Sequence, residues 1–155
     1  MKKTRYLLWI LGTETVGAVS AFLSREGMML YRETVVKPPL TPPALVFPVV
    51  WTILYALMGA GAARVSAEAD SREKKQALNL FVIQLTVNFF WSLIFFNTGA
   101  YGFALIWLLF LWTLVLLMIL RFRQVDSLAA VLQVPYLLWL TLAAYLSFGV
   151  WRLNS

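Results

Sequence analysis

Two residue types are missing from this chain of 155 residues: cysteine and histidine. Without Cys there is no disulfide framework, thiol nucleophile, zinc-thiolate centre or iron–sulfur ligation. Without His, the commonest metal ligand, proton shuttle and triad base are gone. Haem could be held only through Met, Tyr or Lys. Charge is scarce as well. Only 13% of residues are Asp, Glu, Lys or Arg, against about 25% in a soluble domain.

What is present is apolar. The chain is 61% hydrophobic and 15% aromatic, with seven Trp. A soluble fold of this size leaves roughly 30% of its unfolded surface wet, and this composition cannot cover that surface with polar groups. The chain therefore reads as one domain, residues 1–155, dissolved in lipid. An ordinary soluble enzyme and a disordered tail are both excluded. The net charge of +6 is not a nucleic-acid signal, because the basic residues sit at the ends of apolar runs and set membrane orientation there. No nucleic-acid partner is expected; membrane lipid is.

The charges cut the chain into spans. Nineteen residues between Arg5 and Arg25 carry one charge, Glu14. Twenty-six uncharged residues separate Lys37 from Arg64, 45 separate Lys75 from Arg121, and 25 separate Asp126 from Arg152. A hydrocarbon crossing needs about 20 apolar residues, so the 45-residue run is two spans, broken at Asn97-Thr98-Gly99. The expectation is an all-α integral membrane bundle of five transmembrane helices, at about 6–24, 44–65, 77–97, 101–121 and 128–150. Helices satisfy their own backbone groups, which lipid cannot do. Lys2-Lys3 and the run ending in Val19-Ser20-Ala21 also resemble a signal peptide. Glu14 inside the run opposes that, and the segment is read as a retained span.

Nine Lys and Arg fall on the N-terminal side and four on the other, so the positive-inside rule places the N-terminus in the cytoplasm. The first loop, Arg25 to Pro43, then faces outward. Its Pro-Pro-Leu-Thr-Pro-Pro run predicts an extended, stiff segment across the mouth of the bundle. A rigid connector and a functional lid are both open readings.

Gln84, Asn88 and Ser92 recur every four residues and share a helix face. They read as interhelical glue, or as a face from which Asn88 offers a hydrogen bond to a ligand. Trp51, Tyr55 and Met58 form an aromatic stripe on the second span; Tyr136, Trp139, Ala143 and Leu146 form one on the fifth. Such stripes can line an apolar pocket with a few polar handles, although Trp near helix ends also anchors at lipid interfaces. Ala56, Gly59, Ala60, Gly61, Ala62 and Ala63 allow close helix approach, within the bundle first and across a dimer second. Glu14, an acid inside a span, is by default a functional candidate, but with no His and no second carboxylate it makes a poor proton relay. The short sterol motif fails at Tyr145 and Arg152, which have six residues between them where five is the limit. A reversed form can be traced through Arg25, Tyr31 and Val35.

Taken together, Lys37-Pro38-Pro39-Leu40-Thr41-Pro42-Pro43, then Val46-Phe47-Pro48, Trp51, Leu54-Tyr55 and Met58-Gly59, resemble the signature of the translocator protein family. Its bacterial members are the tryptophan-rich sensory proteins, TspO. Gln84-Leu85, Asn88, Trp91-Ser92 and Phe95-Phe96 are similar to the family's third helix. Pro135-Tyr136, Trp139 and Ala143 are similar to its fifth, and Trp151-Arg152-Leu153-Asn154 to its ending. The chain departs where the family usually has Trp for Leu40, Trp-Tyr for Leu30-Tyr31, and often Asn for Ser147.

The resemblance implies a five-helix membrane bundle, often a homodimer, with a ligand pocket beneath the first loop. It implies binding of porphyrins, notably metal-free protoporphyrin, of isoquinoline and benzodiazepine-type drugs, and, in animal members, of cholesterol. By position, the ligand-binding residues would be Tyr31, Trp51, Asn88, Trp91, Trp139, Ala143 and Leu146. No metal and no resident cofactor are implied. The function so read is a porphyrin-binding receptor, sensor or transporter. The alternatives are an enzyme that degrades porphyrin in light and oxygen, with Trp51 and Trp139 as catalytic electron donors, and a membrane scaffold with an incidental drug pocket.

Overall fold

The computed structural model describes residues 2–155, and every regular element among them is helical. The elements are α1 (Lys2–Leu23), α2 (Arg25–Thr34), α3 (Val46–Ala67), α4 (Arg72–Ser92), a π-helical turn (Leu93–Thr98), α5 (Tyr101–Val125) and α6 (Ser127–Leu153). Five of these, counting α4 and its π turn together, are long and apolar enough to span a membrane, as the charge-free runs predict. α1 packs on α3, α3 on α6, α6 on α5, α5 on α4, and α4 returns to α1, which closes a five-membered ring.

Local chemistry fixes the ends. The Ser71 hydroxyl accepts from the Lys74 N–H at 3.1 Å and caps α4. The Asp126 carboxylate accepts from the Ala129 N–H at 3.3 Å and caps α6. Each of these satisfies an otherwise orphaned first-turn donor. The break expected at Asn97-Thr98-Gly99 is where the π turn stops, with Gly99 at φ +65°, a left-handed conformation that suits glycine.

The first loop differs from the expectation, because its first half is helix α2. Charges at Arg25, Glu26, Arg32 and Glu33 make this stretch read as a loop, but its other face is apolar. Tyr31 and Val35 pack against Phe95 and its neighbours, while Gly27 lies directly on the Phe96 carbonyl oxygen. Asn97 donates to the Leu23 carbonyl at 2.9 Å. α2 thus lies on the π turn. The proline run that follows is not straight either. It turns at Leu40, whose φ is +70°, and the Thr41 hydroxyl closes the turn on the Pro38 carbonyl at 2.6 Å.

The small residues of α3 act inside the bundle. Gly59 admits the backbone of Ile10 on α1, and Gly61 admits Gln133 on α6. The basic end of the bundle is tied together by side chains. Arg64 pairs with Asp126 at 2.5 Å and donates to the Tyr6 hydroxyl at 3.2 Å. Arg5 donates to the Ser66 carbonyl and hydroxyl, both at 3.0 Å.

Candidate functional site beneath the strap

Segment 35–43 is fastened to the far end of α6. The Asn154 amide makes a two-way pairing with Val36: Nδ2 donates to the carbonyl at 2.8 Å, and Oδ1 accepts from the N–H at 3.0 Å. Tyr145 donates its hydroxyl to the Pro39 carbonyl at 2.9 Å. Pro38 is buried against Gly149, where a Cβ would meet the proline ring at 2.5 Å. Lys37 turns back to the carbonyls of Tyr31, Arg32 and Val35 at 3.1–3.3 Å, with its ammonium 4.8 Å from the Tyr31 ring centroid. This strap was legible as a stiff segment; its fasteners, Asn154, Tyr145 and Gly149, were not.

Beneath it lie two aromatic clusters. The first surrounds Trp51, whose ring centroid is 5.4 Å from Tyr55 and 6.1 Å from Tyr136. Trp139 and Ala143 pack on this cluster, and Trp139 meets Phe47 edge-on at 5.6 Å. The second holds Phe95, Ala104 and Val150, with Tyr31 at 5.5 Å from Phe95. Burial, aided by neighbouring Tyr101, pushes the Tyr31 hydroxyl up to about 12, so it stays a neutral phenol at ordinary pH. Trp91 packs on both clusters and stacks on Phe95 at 4.9 Å. Leu146 is buried on α6.

The amide face is a single hydrogen-bonded chain. Tyr55 donates to Asn88 Oδ1 at 3.2 Å, Asn88 Nδ2 donates to the Tyr136 hydroxyl at 2.6 Å, and Tyr136 donates to Gln84 Oε1 at 2.8 Å. Asn88 therefore links α3 to α6 through both ends of its amide, while Ser92 is only half-buried. Gln133, a further buried amide, went unremarked in the sequence; its place one turn before Tyr136 was the available signal. Its Nε2 donates to the Leu57 carbonyl at 3.3 Å. Among the described residues, two buried side-chain atoms have no hydrogen-bond partner, Gln133 Oε1 and Trp91 Nε1. Glu14 is half-buried and makes no ion pair among the described residues.

The model of the TspO/MBR family matches residues 9–152. The chain belongs to the TspO/MBR family. It is 35% identical to protein CrtK of Rhodobacter capsulatus over 155 residues, covering 99% of this chain and 95% of that one. It is 36% identical over 140 residues to the tryptophan-rich protein TspO of Chlorobaculum tepidum, covering 90% and 89%. It is 36% identical over 137 residues to the human translocator protein, covering 87% and 80%. Membership in the TspO/MBR family, together with five helices able to span a membrane, makes this a multi-pass integral membrane protein. Trp51, Asn88, Trp91 and Trp139, which carried the resemblance, and Tyr31, which it implied at the site, all lie in or beside the two clusters under the strap of this TspO/MBR protein.

Proposed function

We propose that this protein is a membrane receptor or transporter for a flat hydrophobic tetrapyrrole, a metal-free porphyrin, held in the aromatic layer beneath the strap. The N-terminus lies in the cytoplasm and the strap faces outward. Trp51 and Trp139 flank the ring, Asn88 and Trp91 form the base, and Tyr31, Ala143 and Leu146 complete the wall. The observation that carries this reading is the Trp91 indole N–H, buried without a partner where the two clusters meet. A buried orphan donor costs about 1–3 kcal/mol, and a ligand acceptor at that point would recover it. Aromatic rings on either side suit a planar guest, at about 0.5–1.5 kcal/mol per pair beyond burial. Admission requires the strap to lift from Gly149.

The test is a protoporphyrin titration followed by tryptophan quenching. Trp51→Ala should weaken binding roughly tenfold. Trp91→Phe keeps the stack on Phe95 but removes the donor. It should weaken binding by about fivefold to tenfold while raising the melting temperature of the free protein. Unchanged affinity in both variants, with helicity intact, would remove the reading.

A second reading has one observation in its favour. The Trp51 ring touches two tyrosine rings, a grouping of oxidisable side chains beside the ligand position. The light-excited porphyrin would supply the reactivity and the protein would supply position. Porphyrin absorbance should then fall under light in air, remain under argon, and fall more slowly in Trp51→Phe. Equal loss without protein would end this second reading and leave the first.

A further inference from the structure

The outward face of α5 carries a track that nothing in the bundle covers. Phe103, Ile106, Phe110, Thr113, Leu117 and Leu120 follow one another at steps of three and four and are all exposed. The track runs the length of the most apolar span, whose mean hydropathy is 2.8. It ends at the basic end of the molecule in a recess of about 510 Å³ lined by Leu117, Leu120, Arg121, Arg123 and Gln124.

The two guanidiniums at this recess, like Lys2, Lys3, Arg72 and Lys75, form no ion pair among the described residues, but they alone of these six line a recess beside exposed leucine. The remaining cations at this end are engaged. Arg64 is paired with Asp126 and Tyr6, Arg5 is bonded to Ser66, and Lys74 lies on Asp70 and the Glu68 carbonyl. Arg121 has only a long contact to Gln124, at 3.5 Å. Neither Arg121 nor Arg123 has a carboxylate within 4.0 Å among the described residues. Two unneutralised forks at the water boundary, above a strip of exposed leucine, match a phosphodiester joined to an acyl chain. The same charges argue against a second copy on this face, since its own Arg121 and Arg123 would face these across a low-dielectric boundary.

We propose that this recess is a binding site for one anionic phospholipid. Its phosphate lies between Arg121 and Arg123, with Gln124 as a further donor, and its acyl chain lies along Leu120, Leu117 and the track above. Zwitterionic lipid fits less well, because its ammonium would sit beside the guanidiniums. The site is separate from the aromatic layer, and its argument does not depend on what that layer binds.

The experiment uses the full chain reconstituted in vesicles of equal parts phosphatidylglycerol and phosphatidylcholine, then released for native mass spectrometry. The wild type should retain one phosphatidylglycerol in preference to phosphatidylcholine. The double variant Arg121→Gln/Arg123→Gln should lose that preference by at least about tenfold. The double variant Arg72→Gln/Lys75→Gln removes the same charge from the same end and should retain it. Equal loss in both variants would show a general charge effect and overturn the site, as would equal retention in both. Displacement of the lipid by millimolar inorganic phosphate would overturn the assignment to a lipid in favour of a simple anion site. Retention of a second protein copy in place of lipid would overturn it in favour of a dimer face. Circular dichroism of both variants confirms that the helices are intact.

Discussion

Tyr136 is fully buried, yet its hydroxyl accepts from Asn88 and donates to Gln84. Its removal would orphan a donor and an acceptor in the middle of the bundle. An unsatisfied buried group costs about 1–3 kcal/mol, and lipid offers no water in compensation. Tyr136→Phe, which changes almost no volume, should therefore lower stability by about 2 kcal/mol or more, read as a fall in melting temperature in detergent. An unchanged melting temperature would show that the chain of hydroxyls and amides carries no stability. Of this chain, Gln84 and Asn88 were readable beforehand as polar positions at four-residue spacing, because amides are rare in spans, whereas Tyr55 and Tyr136 read only as members of aromatic stripes. Their connectivity was not readable, since spacing gives a face and not a partner. Gln133 shows the limit: it lies in a span dominated by Leu and Ala, and only the fold reveals that it meets Gly61 and the Leu57 carbonyl of α3.

At the level of elements, the strap is held by few bonds, shared between α2 and the end of α6 with its Asn154 cap. The Val36 N–H has Asn154 Oδ1 as its partner. Asn154→Ala should leave this amide open, and hydrogen exchange at Val36 should accelerate about tenfold or more while α3 to α5 remain protected. Gly149→Ala should act from below, because a methyl group there collides with the Pro38 ring. Unaltered exchange in Asn154→Ala would mean that Pro38 and Tyr145 suffice. The five spans were legible because long uncharged runs have one reading in lipid. α2 was not, because four charges in ten residues hide an apolar edge that acquires meaning only once the π turn is in place. The turn at Leu40 was hidden for a similar reason. Proline constrains φ at its own position and the conformation of the residue before it, whereas Leu40, placed between Pro39 and Thr41, takes its positive φ from how the strap is fastened at both ends.

For the molecule as a whole, both ends of the bundle have distinct chemistry. One is tied by Arg64–Asp126 and Arg5–Ser66 and carries most of the cations; the other carries the strap. The asymmetry sets the expected orientation. In intact cells, Ser155→Cys should react with an impermeant maleimide, and Ser71→Cys should react only after the membrane is opened. The reverse pattern would invert the assignment and turn the strap toward the cytoplasm. Family membership and the five-span count do not depend on that outcome.

The chain of side chains from Tyr55 through Asn88 and Tyr136 to Gln84 also bears on how the helices find their depth. Apolar ridges repeat with each turn, so a helix that slides by about 5.4 Å along its neighbour meets a similar landscape. Lipid does little to forbid that slip. The hydroxyls and amides do not repeat: each meets its partners at one height, contributed by α3, α4 or α6. They act as a vernier, picking a single axial setting for three helices out of several that leucine and alanine alone would allow. A variant with these positions made apolar would still insert five helices, but it would lose the mark by which they stop in line.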